Sequence, residues 1–166
     1  MMSTKEVTQN AIAGIFTPEA VLKHWQGHRG LTRRMIEAFP EDKLFTYSIG
    51  GMRPFSVLVY EFLGMAVPSL TGFATDKWQK YAEAEKVSTK EELLALWDQA
   101  TDDINNIWAT IPAERWNEQI LAFGQWPGTC TSILFYVIDN EIHHRGQGYV
   151  YLRSLGIEPP PFWDRA

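Results

Sequence analysis

The chain has 166 residues, of which 45% are hydrophobic and 21% charged, and its formal net charge is −5. This composition fits one globular domain and is too apolar for a disordered chain. The acidic balance and the lack of a Lys/Arg run argue against a nucleic-acid-binding surface. The single cysteine, Cys130, excludes an internal disulfide and fits a reducing cytoplasm.

We therefore expect a single cytoplasmic domain over residues 1–166 that does not enter a membrane. The apolar patch at 11–16 is too short for the core of a signal peptide. The apolar stretch at 55–70 is interrupted by polar residues and is shorter than a membrane span.

Four helices are predicted, separated by glycine and proline. The first begins after Thr17, a capping residue followed by proline at the first helical position, and it stops before Pro40. A turn-rich connection over 41–54 follows. The second helix covers about 54–71 and is apolar nearly all round, as in a central helix, with Pro68 as a kink or an end.

The polar stretch 76–87 predicts a loop or a short helical turn. The third helix has the clearest start, because Thr89 and Glu92 match a capping box. Its apolar residues then recur at helical spacing until Pro112.

Residues 113–128 look irregular, and their aromatic side chains are expected to cover one end of the helices. The fourth helix covers about 129–155 and ends at Gly156, ahead of three consecutive prolines. Four long helical segments without a convincing strand pair predict an all-α helix bundle.

One face of the fourth helix changes from apolar to polar and back to aromatic. At about 100° per residue, its members fall within about 80° of one another. They are Ile133, Val137, Asn140, His144, Gln147 and Tyr151. Since this face is apolar at both ends, we expect it to point inward. Buried polar groups cost about 1–3 kcal/mol each unless satisfied, so either a structural hydrogen-bond network or a polar cavity, ligand or metal is required. His143 lies about 60–100° off this line and Arg145 points well away.

Glu61 is the one charged residue in the apolar stretch 55–70. Such a carboxylate must bind a metal, pair with a cation, become protonated or reach water. A carboxylate and an imidazole from two helices commonly form a metal site in bundles. The alternative is that Glu61 faces solvent at the rim.

Two further features give weaker signals. His24 and His28 are spaced i,i+4, which allows two imidazoles to share a metal but also occurs by chance on exposed faces. His28 lies on an apolar face and is expected to approach the cavity. Cys130 stands at a helix start without an evident base, so a structural thiol is the better interpretation.

The HHRGQ segment at 143–147, followed by YLR at 151–153, resembles the C-terminal signature of the DinB (YfiT-like) family. Trp25 and Arg29 on the first helix and MRPF at 52–55 agree with it, so the resemblance spans essentially the whole chain. It implies an up-down-down-up four-helix bundle that is often dimeric. It also implies a divalent metal of the nickel, zinc or iron type, held by one histidine of the second helix and an H-x3-H pair of the last.

Residue by residue, His144 falls on the second histidine of that pair, Asn140 on the first, and Glu61 on the second-helix histidine. The resemblance therefore implies a metal site of Glu61, Asn140 and His144, harder and weaker than a three-histidine site. The other predicted pocket residues are Gln147, His143, Tyr151 and His28. A metal-free cavity with Glu61 bonded to His144 is the alternative.

These expectations lead to a first hypothesis, a metal-dependent enzyme that activates a water or a thiol, as a thiol-dependent transferase or a hydrolase of a small molecule. A second hypothesis is a non-catalytic small-molecule-binding module with a degenerate metal site. A third is a structural homodimer that relies on a tryptophan-rich face. The sequence leaves the substrate and the metal unnamed.

Overall fold

A computed structural model describes residues 17–82 and 84–165. Over these residues the chain is mostly helical. The α-helices are α1 (Pro18–Ala38), α2 (Glu41–Thr46), α3 (Phe55–Thr75), α4 (Lys90–Trp108) and α5 (Cys130–Ser154). A 3₁₀ helix (Ala113–Asn117) precedes a hairpin of strands β1 (Gln119–Ala122) and β2 (Trp126–Thr129). The apolar patch at 11–16 lies outside the described residues.

Hydroxyl caps start three of the long helices. Thr17, Thr89 and Thr129 each accept a hydrogen bond from the backbone N–H three residues later. Glu92 bonds back to the backbone of Thr89, which completes the predicted capping box. Each such cap stabilises its helix by about 1 kcal/mol. The predicted helix starts are therefore confirmed.

Two expectations about the second helix and its approach are wrong. The connection 41–54 contains the short helix α2, and α3 continues past Pro68 to Thr75. A proline inside a helix costs about 3 kcal/mol. Leu70 and Phe73, both beyond the proline and fully buried, offset that cost because each contributes roughly 2 kcal/mol by burial.

The predicted mostly helical fold is confirmed, but the expectation that residues 113–128 are irregular and contain no strand pair is wrong. β1 and β2 pair antiparallel, with Gln119 opposite Thr129 and Ala122 opposite Trp126. The strands have only four residues each, and β2 contains a proline and a glycine, which are poor strand formers. The hairpin therefore cannot be recognised from the sequence pattern.

The four long helices pack through two core clusters. Helices α1 and α3 each contact both α4 and α5. One cluster surrounds Phe39, Phe55 and Trp97, and the other surrounds Trp25 and Phe73. The up-down-down-up order stays a prediction.

Helix α3 has the length and composition of a membrane span, contrary to the shorter stretch expected from the sequence. However, 61% of its apolar window is buried inside the domain. This burial is typical of a core helix in a globular domain.

Candidate functional site

The packing of α3 on α5 brings together the three residues predicted as metal ligands. The Asn140 Nδ2 donates to Glu61 Oε1 at 2.9 Å, and His144 Nε2 lies 3.3 Å from the same oxygen. The side chains of Glu61 and His144 are 17% and 15% exposed. The trio therefore forms one contact group at the edge of the core.

A fourth residue, Arg53, completes this group. Its Nη1 donates to Glu61 Oε2 at 2.5 Å, so both carboxylate oxygens accept hydrogen bonds. The buried Tyr151 hydroxyl donates to the Arg53 carbonyl at 3.0 Å and fixes the backbone ahead of α3. Sequence reasoning missed this role because Arg53 precedes the helix, where helical spacing to Glu61 does not apply.

The protonation states follow from these partners. Burial alone would raise the pKa of Glu61, but the hydrogen bonds from Asn140 and Arg53 outweigh it and hold the pKa below its usual value. Burial lowers the pKa of His144, against the opposing attraction of Glu61. At neutral pH Glu61 is therefore a charged carboxylate and His144 a neutral imidazole, with Nε2 of His144 3.3 Å from Oε1 of Glu61.

Two buried polar atoms of the group have no hydrogen-bond partner. Within residues 17–82 and 84–165 these atoms are His144 Nδ1 and Asn140 Oδ1, although the Gln147 side chain lies near His144 and acts to raise its pKa. Buried polar atoms of this kind normally bind a ligand or a water molecule.

The donor set decides whether the metal implied by the resemblance fits here. A metal needs lone pairs directed at it, whereas Asn140 and Arg53 both present N–H groups to Glu61. Two unit charges about 4 Å apart interact by about 4 kcal/mol at an effective dielectric of about 20, and a divalent ion doubles that repulsion. In the described part of the chain, no three His, Cys, Asp or Glu side chains are placed to share an ion. The residues present do not fit a divalent ion at Glu61 while Arg53 holds it.

A cavity of about 730 Å³ opens beside Glu61, between α3, α5 and the hairpin. Its polar lining consists of Arg53, Glu61 and Ser69. Its apolar and aromatic lining consists of Met65, Tyr81, Ala122, Phe123, Trp126, Pro127, Ile133, Tyr136 and Val137. The Ser69 hydroxyl is buried and has no hydrogen-bond partner among the described residues. The cavity is therefore apolar, with polar groups at a few defined points.

Three aromatic rings form one wall of this cavity. Tyr81, Phe123 and Trp126 stand nearly perpendicular to one another, at 79–89°, with centroids 5.8–6.2 Å apart. Phe123 has a φ of 54°, a left-handed conformation that costs a side-chain-bearing residue about 1 kcal/mol. Such strain at a cavity wall is a common feature of binding sites.

The remaining predicted pocket residues lie outside the cavity lining. His143 is exposed, with its ring centroid 4.8 Å from that of His144, and Gln147 is half-buried one turn further on. Tyr151 donates its hydroxyl hydrogen bond to the backbone carbonyl of Arg53. Cys130 is fully buried and burial raises its pKa, as in a structural thiol.

His28 belongs to a second polar cluster between α1 and α5. It contacts Arg145 at 2.9 Å, Arg165 at 3.1 Å and His24 at 3.2 Å. Arg145, expected to point away from the Glu61 face, does so, but it is buried in this cluster.

Glu141 is the acidic centre of the second cluster and is only 2% exposed. It accepts hydrogen bonds from Thr32 at 2.5 Å and Trp25 at 3.3 Å, and Arg145 lies 3.8 Å away. The sequence reasoning missed it because its partners come from α1, more than 100 positions away along the chain.

Comparisons with known proteins agree on one family. The DinB family model matches residues 2–165. A DinB-like protein from Bacillus subtilis is 20% identical, with a TM-score of 0.69 over 88% of this chain and 99% of its own. A DinB-like protein from Bacillus cereus is 16% identical, with a TM-score of 0.70 over 86% of this chain and 95% of its own. At these identities the likeness shows the fold alone, and no curated protein matches the chain.

Proposed function

The chain belongs to the DinB family, and we propose that it binds a small molecule in the cavity beside Glu61. The observation that carries this proposal is the 730 Å³ cavity with its aromatic wall and the charged Arg53–Glu61 pair. Cavities of this size, mostly apolar with a few convergent polar groups, are typical of small-molecule sites.

The lining supports a ligand with an aromatic or flat apolar body and a hydrogen-bond acceptor. The rings of Tyr81, Phe123 and Trp126 provide faces and edges for such a body. A guanidinium has five N–H donors, so Arg53 can bind an acceptor while it keeps its bond to Glu61. The unpartnered Ser69 hydroxyl offers a second polar contact.

The metal-dependent transferase or hydrolase implied by the family resemblance stays a prediction, as do the homodimer and the cytoplasmic location. The proposed binding function needs none of them.

A fluorescent probe tests the proposal without a known ligand. The dye 8-anilino-1-naphthalenesulfonate has an aromatic body and one anionic group, which match the aromatic wall and Arg53. We expect saturable binding of one dye per folded chain, and Trp126→Ala should weaken it about fivefold, since a lost aromatic contact costs roughly 1 kcal/mol.

Trp163→Ala is the matched control, because Trp163 is also an exposed tryptophan but borders a different, 390 Å³ pocket. It should leave the dye affinity unchanged. Loss of binding in Trp163→Ala instead of Trp126→Ala would move the site to that pocket. Dye binding without saturation, on a protein with a native near-ultraviolet spectrum, would reject the proposal.

A further inference from the structure

We infer that the Arg53 guanidinium is the permanent cation of this site and takes the place of the divalent metal that the family resemblance implies. The inference goes beyond the proposed function, because it concerns how the charge of Glu61 is neutralised and not which molecule enters the cavity. The site then keeps its charge balance without an ion from solution.

Both oxygens of the Glu61 carboxylate are already used in hydrogen bonds. Oε2 of Glu61 accepts from Arg53 at 2.5 Å, and Oε1 accepts from Asn140 at 2.9 Å. His144 Nε2 lies 3.3 Å from Oε1. Both oxygens of this carboxylate therefore accept hydrogen bonds, Oε2 from Arg53 and Oε1 from Asn140, so a divalent ion at Glu61 would have to compete with these donors.

The backbone of Arg53 is anchored by the core. Its carbonyl accepts from the Tyr151 hydroxyl, and Tyr151 is fully buried. Pro54 follows directly and restricts the backbone at the start of α3. The Arg53 side chain is 43% exposed and yet paired, so its position comes from the anchored backbone and from Glu61 rather than from burial.

Arg53 competes with any divalent ion for the Glu61 carboxylate. A divalent ion that binds Glu61 must either displace Arg53 or lie close to a unit positive charge, and both are unfavourable. Removal of the guanidinium charge should therefore free Glu61 for a metal. Replacement of Arg53 by another cationic side chain should leave Glu61 unable to bind a metal.

Calorimetric titration with Zn²⁺ alone, on protein without a His-tag, tests this inference. We expect no stoichiometric binding at this site in the wild type, and a gain in affinity of about a hundredfold or more in Arg53→Gln. Arg53→Lys keeps the charge and should behave like the wild type. Arg153→Gln removes an exposed arginine from α5, retains His24 and His28, and should show no gain.

The double variant Arg53→Gln/Glu61→Gln should lose the increase in zinc affinity. Such a loss would assign the zinc binding to the Glu61 carboxylate. Three results would overturn the inference: about one tightly bound zinc per wild-type chain, no gain in a folded Arg53→Gln, or a gain that survives in the double variant. If Arg53→Gln does not fold by circular dichroism, the wild-type titration and Arg53→Lys still decide: tight zinc binding by either contradicts the inference, and its absence in both supports it. The titration needs no dye, so a failed dye experiment is distinguishable from a failure here.

Discussion

The hydroxyl of Tyr151, near the end of α5, donates a hydrogen bond to the backbone carbonyl of Arg53 at 3.0 Å. This contact joins the last helix to the residue that pairs with Glu61. A side chain deep in the core thereby determines the geometry of the charged group at the cavity.

Tyr151→Phe should lower the free energy of unfolding by about 1 kcal/mol, because it leaves the Arg53 carbonyl without its buried donor. Tyr47→Phe is a matched control, since the Tyr47 hydroxyl bonds Ser154 at 2.8 Å in an exposed position. It should cost less, because water replaces that partner. Urea unfolding of both variants measures the difference, and equal costs would contradict the anchoring role of Tyr151.

His28 should make the stability depend on pH between about 6.5 and about 4. Burial, followed by the nearby charges of Arg145, His24 and Arg165, lowers the pKa of His28 from 6.5 to about 4. Across this interval the unfolded chain binds the proton and the folded chain does not, so the folded state loses stability as the pH falls.

Urea unfolding from pH 7 to pH 4 measures this slope. His28→Gln cannot take up the proton and should reduce the slope over that interval. If His28→Gln retains the wild-type slope, His28 is not its source.

Glu141→Ala should lower the free energy of unfolding by about 3–5 kcal/mol, because it leaves the buried Arg145 without its carboxylate. Thr32 and Trp25 also lose their acceptor. Asp139→Ala changes an exposed carboxylate of the same helix and should stay within about 0.5 kcal/mol of the wild type. Chemical unfolding at pH 7 tests both, and a loss below 1 kcal/mol in Glu141→Ala would show that the cluster is not coupled.

Phe123→Gly should be more stable than Phe123→Ala by about 1 kcal/mol, since glycine adopts the positive φ without strain. Both variants remove the ring and should weaken dye binding. At the neighbouring exposed Leu121, which lacks a positive φ, the order should reverse, with Ala more stable than Gly. Thermal unfolding of the four variants provides the test, and the same order at both positions would contradict it.

Local chemistry made much of this fold predictable from the sequence. The caps at Thr17, Thr89 and Thr129 act within one helical turn, so their effect is readable from a few neighbouring residues. The grouping of Asn140 and His144 on one face follows from helical periodicity. The isolated charge of Glu61 in an apolar helix indicated that it needed a partner.

Tertiary structure alone decided which partner that was. Arg53 reaches Glu61 because the buried Tyr151, 98 positions away, holds its backbone at the start of α3. The two strands of the hairpin are too short to show an alternating sequence pattern. They pair with each other beside the cavity. Glu141 is stable in the core because α1 supplies its donors. For Arg53 and Glu141 the free energy comes from contacts between distant segments, and local sequence patterns do not encode which distant segments meet.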